Sequence, residues 1–225
     1  MTGLPDPRTR APRILPLTDP SAIPLAAGLL RRGALIAFPT DTVYGVGGDA
    51  LSREVAARTY EAKGRPAGKG FPVLLAHTED ARRLAAAWPA PAALLAARFW
   101  PGALTLVVPA MSSVPDETRT GETVALRVPG LAALRQLIAA AGCPLIGTSA
   151  NRSGEPPATS AAAAALALRG AVEVVLDGGT TGGQPSTVVV VEETRVRIVR
   201  GGAIDGDALQ AVLAPAGCAL VPATG

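Results

Sequence analysis

At 225 residues, with 48% hydrophobic and 17% charged residues, the chain has enough apolar content to bury a core and too little charge for a disordered body. The net charge of +3 is modest and spread along the chain, which permits an anionic ligand but lacks the dense basic stretch of a nucleic-acid tail. No window nears the roughly 18 apolar residues of a membrane span, and Cys143 and Cys218 form no C-x-x-C pair, so a bilayer helix, a zinc site and a disulfide framework are all unexpected.

Residues 1–13, rich in Pro, Arg and Thr and without a secretory apolar stretch, read as a loose tail of a cytoplasmic protein. A helix over 23–32 stops at Gly33, and the apolar run 34–38 reads as a buried strand broken at Pro39. Ser52 is placed to cap a helix that runs to Lys63 and ends at Gly64. Further strands are expected at 73–76, 104–108, 124–128, 145–148, 172–176, 187–191 and 196–199. Helical patterns lie at 79–87, 92–99, 131–141, 207–213 and the alanine-rich run 160–169. Eight strands alternating with helices, without an internal repeat, predict an α/β fold. The expected architecture is a single domain over 14–215, one twisted mixed parallel/antiparallel sheet with flanking helices, a hairpin at 187–199 and a tail at 216–225. Loops at 39–48, 127–130, 149–157 and 178–186 begin where predicted strands end, which gathers them along one edge, the usual ligand side of an open α/β sheet.

Several chemical patterns fail. The segment from Gly64 to Gly70 is one residue short of G-x-x-x-x-G-K-[ST], lacks its hydroxyl and follows a helix. Gly45-x-Gly47-x-x-Ala50 is separated from its strand by a whole loop and has no acidic residue near the expected later position. His77 is the only histidine, which rules out a two-histidine metal site, and it reads as a structural residue at a strand end. Asp41, Asp49 and Asp177 are scattered without an acid/base spacing.

What remains is a set of hydroxyls, amides and fixed positive charges, the equipment of a site that binds anions and positions reactants. Only two of the 21 basic residues are lysines, and both, Lys63 and Lys69, fall in one short window. A compact ammonium required by phosphate would explain this, as would chance. Lys63-Gly64-Arg65 sets two cations around a glycine at a helix end, where a solvated terminus is the plainer alternative. Ser149-Ala150-Asn151 puts a hydroxyl and an amide on one turn after an apolar strand, which turn chemistry alone also explains. Val124, Leu126 and Val128 share one strand face and Arg127 takes the other, as a carboxylate clamp or as a surface arginine on an edge strand.

Taken together, these segments resemble the YrdC-like family. Phe38-Pro39-Thr40-Asp41-Thr42-Val43-Tyr44-Gly45 is similar to the family's P-T-[DE]-T-x-Y-G, and Lys63-Gly64-Arg65-Pro66 to its K-x-R-P. Thr123 to Pro129 resembles T-V-A-x-R-x-P, and Thr148 to Gly154 resembles T-S-A-N-x-S-G. Ser186-Thr187-Val188-Val189 and Ile198 to Gly202 are similar to the closing S-T-V-V and I-x-R-x-G. Lys69-Gly70-Phe71 departs from the usual K-P-L, and the extra C-terminal domain of longer relatives has no counterpart after Arg200, so the resemblance implies the short form.

The resemblance implies a YrdC-like fold and an enzyme that makes threonylcarbamoyl-AMP and pyrophosphate from L-threonine, bicarbonate and ATP, the first step of threonylcarbamoyladenosine formation on adenosine 37 of tRNA. It places L-threonine on Thr40, Arg127, Ser149 and Ser186, and ATP on Lys63, Arg65, Thr123, Asn151, Thr159 and Arg200, with Lys63, Arg65, Ser149 and Asn151 carrying catalysis. Thr159 also fits as the cap of the alanine-rich helix. Mg2+ is expected to arrive with the ATP and not as a protein-bound metal, a downstream threonylcarbamoyl transferase complex is the implied partner, and direct tRNA contact stays open. Two rivals are a non-catalytic double-stranded RNA or tRNA-binding module, opposed by 3% aromatic content, and a carbamoyl-transfer domain of hydrogenase maturation factors, whose further domains and zinc motifs find no room here.

Overall fold

The structure, a computed structural model, describes residues 11–66 and 68–221. It begins with β1 (Arg13–Pro16), α1 (Ala22–Arg31), β2 (Ile36–Phe38), β3 (Gly45–Gly47), α2 (Arg53–Lys63) and β4 (Pro72–Leu74). Next come α3 (Ala90–Phe99), β5 (Leu104–Pro109), β6 (Thr123–Arg127), α4 (Ala132–Ala141), β7 (Leu145–Ile146), β8 (Thr148–Ser149) and α5 (Ala161–Ala167). The chain continues through β9 (Val174–Asp177), β10 (Thr187–Val191), β11 (Arg195–Arg200), α6 (Gly206–Leu213) and β12 (Ala219–Val221). No helix among the described residues is long and apolar enough to cross a membrane.

The fold is mixed α/β as expected, but the strands divide between two sheets instead of one. The first has the order β1-β9-β2-β3-β8 and the second β12-β11-β10-β5-β6-β4-β7. Each mixes parallel pairs, such as β2 with β9 and β5 with β10, and antiparallel pairs, such as β2 with β3 and the expected hairpin of β10 with β11. The run 34–38 shows why two layers form: it is apolar at every position, so both of its faces must be covered. Leu35 and Ala37 enter a core shared by both sheets, alongside Val46, Val175, Leu106, Leu126 and Val189. Ile36 and Phe38 turn the other way, into a cluster built with α1 and α4.

The remaining departures from the sequence reading have local causes. Three short strands were not anticipated: β1, which pairs with β9 and takes Arg13 out of the expected tail; β3; and β12, which pairs with β11 inside the expected C-terminal tail. Residues 1–10 and 222–225 of those tails lie outside the described residues. The expected strand 145–148 is two strands broken at Gly147, with β7 in one sheet and β8 in the other. A Cβ on Gly147 would come within 2.4 Å of Leu74 Cγ, so only glycine fits this crossing. The expected helix 79–87 is a 3-10 helix over Thr78–Arg83. It ends because Ala86 N–H donates to Pro109 O at 2.9 Å and Met111 N–H to Leu84 O at 2.8 Å, bridging that stretch to the end of β5.

Candidate functional site

Local chemistry positions Lys63. Ser52 Oγ accepts the Val55 N–H at the start of α2, and Gly64 ends the helix at φ 60°, a conformation that favours glycine. The last residue before that stop is Lys63, and the Ser153 N–H caps its carbonyl at 3.0 Å. The Lys63 side chain turns inward, only 3% of the residue exposed. Its ammonium donates to Ser149 O at 2.6 Å, Asn151 O at 2.8 Å and Asn151 Oδ1 at 3.3 Å. All three acceptors are neutral, so burial, followed by the nearby Arg65 charge, pulls the Lys63 pKa down to about 8. Asn151 is itself fixed, its amide donating to Arg152 O and Glu155 O.

Arg65 lies over the rings of Tyr60 and Phe71, its guanidinium carbon 5.2 and 4.5 Å from the two centroids. One terminal nitrogen donates to Lys69 O and Gly70 O, while its Nε is buried with no hydrogen-bond partner among the described residues. A buried unmet donor is a binding opportunity for an incoming acceptor.

Arg127 is placed differently. It ends β6, which is flanked by β5 and β4, so it is no edge-strand arginine, and only 5% of the residue is exposed. Its Nε donates to Gly102 O at 2.9 Å, Nη1 to Thr42 Oγ1 at 3.1 Å and Nη2 to Asp41 Oδ1 at 2.7 Å. Thr40 Oγ1 donates to Val43 O at 2.7 Å and lies 2.8 Å from Thr42 Oγ1, stapling the loop after β2. With the Thr40 proton committed, the Thr42 hydroxyl donates to Thr40 and accepts from Arg127. Burial lowers the Arg127 pKa while Asp41 opposes the shift, and burial together with the Arg127 charge lowers that of Arg200. Arg200 donates from Nη2 to Ser186 O at 2.8 Å and to Ser186 Oγ at 3.0 Å, and Ser186 Oγ lies 2.9 Å from Thr105 Oγ1.

The four loops expected at one edge do meet. Gly45 pairs with Ser149, the Tyr44 N–H donates to Ala158 O, the Gly183 N–H to Thr42 O and the Thr181 N–H to Thr159 O. The 127–130 loop joins through Arg127 and through Gly130, which lies against the Asp41 carboxylate. Thr40, Lys63, Arg127, Ser149, Asn151, Ser186 and Arg200 thus belong to one connected set of loops. Thr123 stands apart, its hydroxyl donating to Thr120 O; the link to the Arg65 segment runs through the Gly70 N–H on Thr120 Oγ1. Thr159 is exposed and does not cap α5, because Ser160 does so by accepting the Ala163 N–H at 3.2 Å. Asp41, Thr42 and Gly102 were missed as partners of Arg127. The available signal was that a buried arginine needs a counter-charge, and Asp41 is the acidic residue of the first loop.

A cavity of about 460 Å³ lies elsewhere, among Leu51, Leu75, His77, Arg83, Ile138 and Cys143, and none of the ten predicted site residues lines it. His77 there caps the 3-10 helix, its N–H donating to Asp80 Oδ2, and burial pushes the Cys143 thiol up to about 12, away from reactivity. Among the described residues no group of three or more His, Cys, Asp and Glu side chains could hold a metal.

Residues 28–202 match the Sua5_yciO_yrdC family model, described as "Telomere recombination". The threonylcarbamoyl-AMP synthase of Pyrococcus abyssi is 41% identical over 193 residues, covering 85% of this chain and 57% of that protein. The enzyme of the same name from Pseudomonas syringae is 37% identical over 79% of this chain and 95% of its own length. A crystal structure of P. abyssi Sua5 complexed with L-threonine superposes with a TM-score of 0.85 at 36% identity, over 94% of this chain and 63% of that one. The chain therefore spans less than two thirds of the length of the P. abyssi protein. A match that spans residues 28–202, most of the chain, shows that the chain belongs to the Sua5/YciO/YrdC family.

Proposed function

We propose that the chain is a threonylcarbamoyl-AMP synthase, a nucleotidyltransferase that joins L-threonine, bicarbonate and ATP and releases pyrophosphate. The observation that carries this reading is the Lys63 ammonium, buried on the Ser149–Asn151 turn with only neutral acceptors. A cation without a counter-ion gains most from an incoming phosphate. The name shared by the relatives, and the L-threonine in the P. abyssi complex, support the identity of the two ligands. The double-stranded RNA or tRNA-binding alternative is not favoured, because those relatives carry the name of an enzyme.

In this reading Thr40, Arg127, Ser149 and Ser186 hold L-threonine, and Lys63, Arg65, Thr123, Asn151, Thr159 and Arg200 receive ATP. The threonine amine takes up carbon dioxide with loss of a proton, or bicarbonate with loss of water, to give a carbamate, whose oxygen attacks the α-phosphate and displaces pyrophosphate. Cations at the site offset the repulsion between the two anions and the charge that grows on the phosphates in the transition state. Lys63, Arg65, Ser149 and Asn151 would act there as positioning and electrostatic groups, with no covalent enzyme intermediate. Magnesium would come as part of the nucleotide: around Lys63 and Arg65 the site offers cations and neutral oxygens, a donor set suited to phosphate oxygens, and Asp41 is a single carboxylate already engaged by Arg127. The adenylate would pass, in the cytoplasm, to a transferase complex acting on adenosine 37 of tRNA.

The test is pyrophosphate release from ATP and bicarbonate, with L-threonine, with L-serine or with neither. Release that requires L-threonine is expected. A signal equal with serine, or independent of any amino acid, would remove threonine from the reading.

A further inference from the structure

We propose that Asp41 recognises the α-amino group of the substrate, so that Asp41 and Arg127 form a receptor for a zwitterion and not merely for a carboxylate; this rests on the amino-acid reading of the Arg127 site above. Three observations carry the proposal. The first is access. The Arg127 side chain is 6% exposed and that of Asp41 23%, so the pair shows a ligand more carboxylate than guanidinium. A ligand bearing only an anion meets Asp41 as a repulsive neighbour, whereas one bearing a cation next to its carboxylate is attracted by both members.

The second observation concerns valence. Asp41 Oδ1 accepts from Arg127, while Oδ2 accepts no hydrogen bond among the described residues and lies over Gly130, where a Cβ would approach it to 2.9 Å. Three bonds from Arg127, to Gly102, Thr42 and Asp41, use three of its five N–H groups. What the pair leaves open is donors on the cation and an acceptor on the anion, side by side. An α-amino acid carries the complementary groups on one carbon. A carboxylate oxygen can accept from an ammonium and from a neutral amine alike, so the contact survives loss of the proton before the amine reacts.

The third observation is the sign of the surroundings. Among the described residues Lys63, Arg65 and Arg200 form no salt bridge, and Asp41 is the one carboxylate paired to any of the four site cations. Without it the set would repel an ammonium from every side. A carboxylate needed only as the counter-ion of a buried arginine would serve as well with both oxygens engaged. The open oxygen is the feature that such a role leaves unexplained.

The test is calorimetric titration of the wild-type chain and Asp41→Asn with L-threonine and with the analogue that carries a hydroxyl in place of the amine. The wild type is expected to prefer threonine by about 10- to 100-fold, the range of a charged hydrogen bond, and Asp41→Asn to lower that ratio about tenfold or more. Equal weakening of both ligands, or an unchanged ratio, overturns the proposal and leaves Asp41 a counter-ion. If circular dichroism finds Asp41→Asn unfolded, Gly130→Ala carries the same criterion, because its methyl displaces the carboxylate and keeps both charges in the chain. A wild type that binds neither ligand defeats the amino-acid reading itself, and this proposal with it; one that binds threonine but shows no dependence on Asp41 defeats this proposal alone.

Discussion

Lys63 and Arg127 are both buried cations in the same set of loops, and the protein holds them in opposite ways. Arg127 has a carboxylate, a hydroxyl and a carbonyl around a guanidinium that stays charged. Lys63 has carbonyl and amide oxygens alone, around an amine whose burial favours the neutral form. The first arrangement carries its own counter-ion and still keeps groups free for a ligand. The second is incomplete until an anion arrives, so the two should differ in what their loss does to folding and to catalysis.

The largest expected effect is on stability at Arg127. Arg127→Met removes three hydrogen bonds of a buried guanidinium and leaves the part-exposed Asp41 carboxylate without its partner; the expected cost is about 2–4 kcal/mol, read by urea denaturation. Lys63→Met removes hydrogen bonds but strands no charge, and is expected to cost about 1–2 kcal/mol. Equal losses would break the contrast. On activity, Lys63→Ala is expected to lower the turnover number for pyrophosphate release about 100- to 1,000-fold with the fold intact by circular dichroism.

A pH series sharpens the difference further. The Lys63 pKa falls from 10.5 to about 8 in the folded chain, so between those values the unfolded chain keeps a proton that the folded chain has released. Stability of the wild type is therefore expected to rise with pH across that window relative to Lys63→Met, and to show no such difference below about 8. Nucleotide affinity should move oppositely, kcat/KM for ATP falling as pH passes about 8, with the fall absent in Lys63→Arg. Smallest of all is Arg65→Gln, which gives up ring contacts worth about 0.5–1 kcal/mol. Its KM for ATP is expected to rise with little change in denaturation midpoint.

The elements best read from sequence were those fixed by nearby residues. Ser52 and Gly64 bound α2 by their own side-chain and backbone chemistry, and the 187–199 hairpin follows from two apolar runs with a short link. Strands made by distant partners were not legible. β3 reads Gly-Val-Gly and has no strand propensity of its own; Gly47 is required because a Cβ would stand 1.9 Å from Ile146 O. The division into two sheets was equally hidden, since an apolar run shows that both faces are covered but not by what. At the site, the meeting of Lys63 with Ser149 and Asn151 followed only from motif resemblance. Asp41 escaped because a single acidic residue in a loop shows its partner only after β6 has brought Arg127 beside it. The cap of α5 fell one residue off because Thr159 and Ser160 offer the same hydroxyl, and only the backbone turn chooses Ser160.

Gly147 joins β7 of one sheet to β8 of the other, and its N–H donates to Pro72 O at 2.8 Å. Two residues on comes the first carbonyl that grips Lys63. The layers fit tightly at this point, where a Cβ on Gly147 would come within 2.4 Å of Leu74 Cγ, so a shear of one sheet against the other would bear directly on the turn that cradles the ammonium. Wear in the shared core far from any ligand should thus surface first as weakened nucleotide affinity, well before the chain melts.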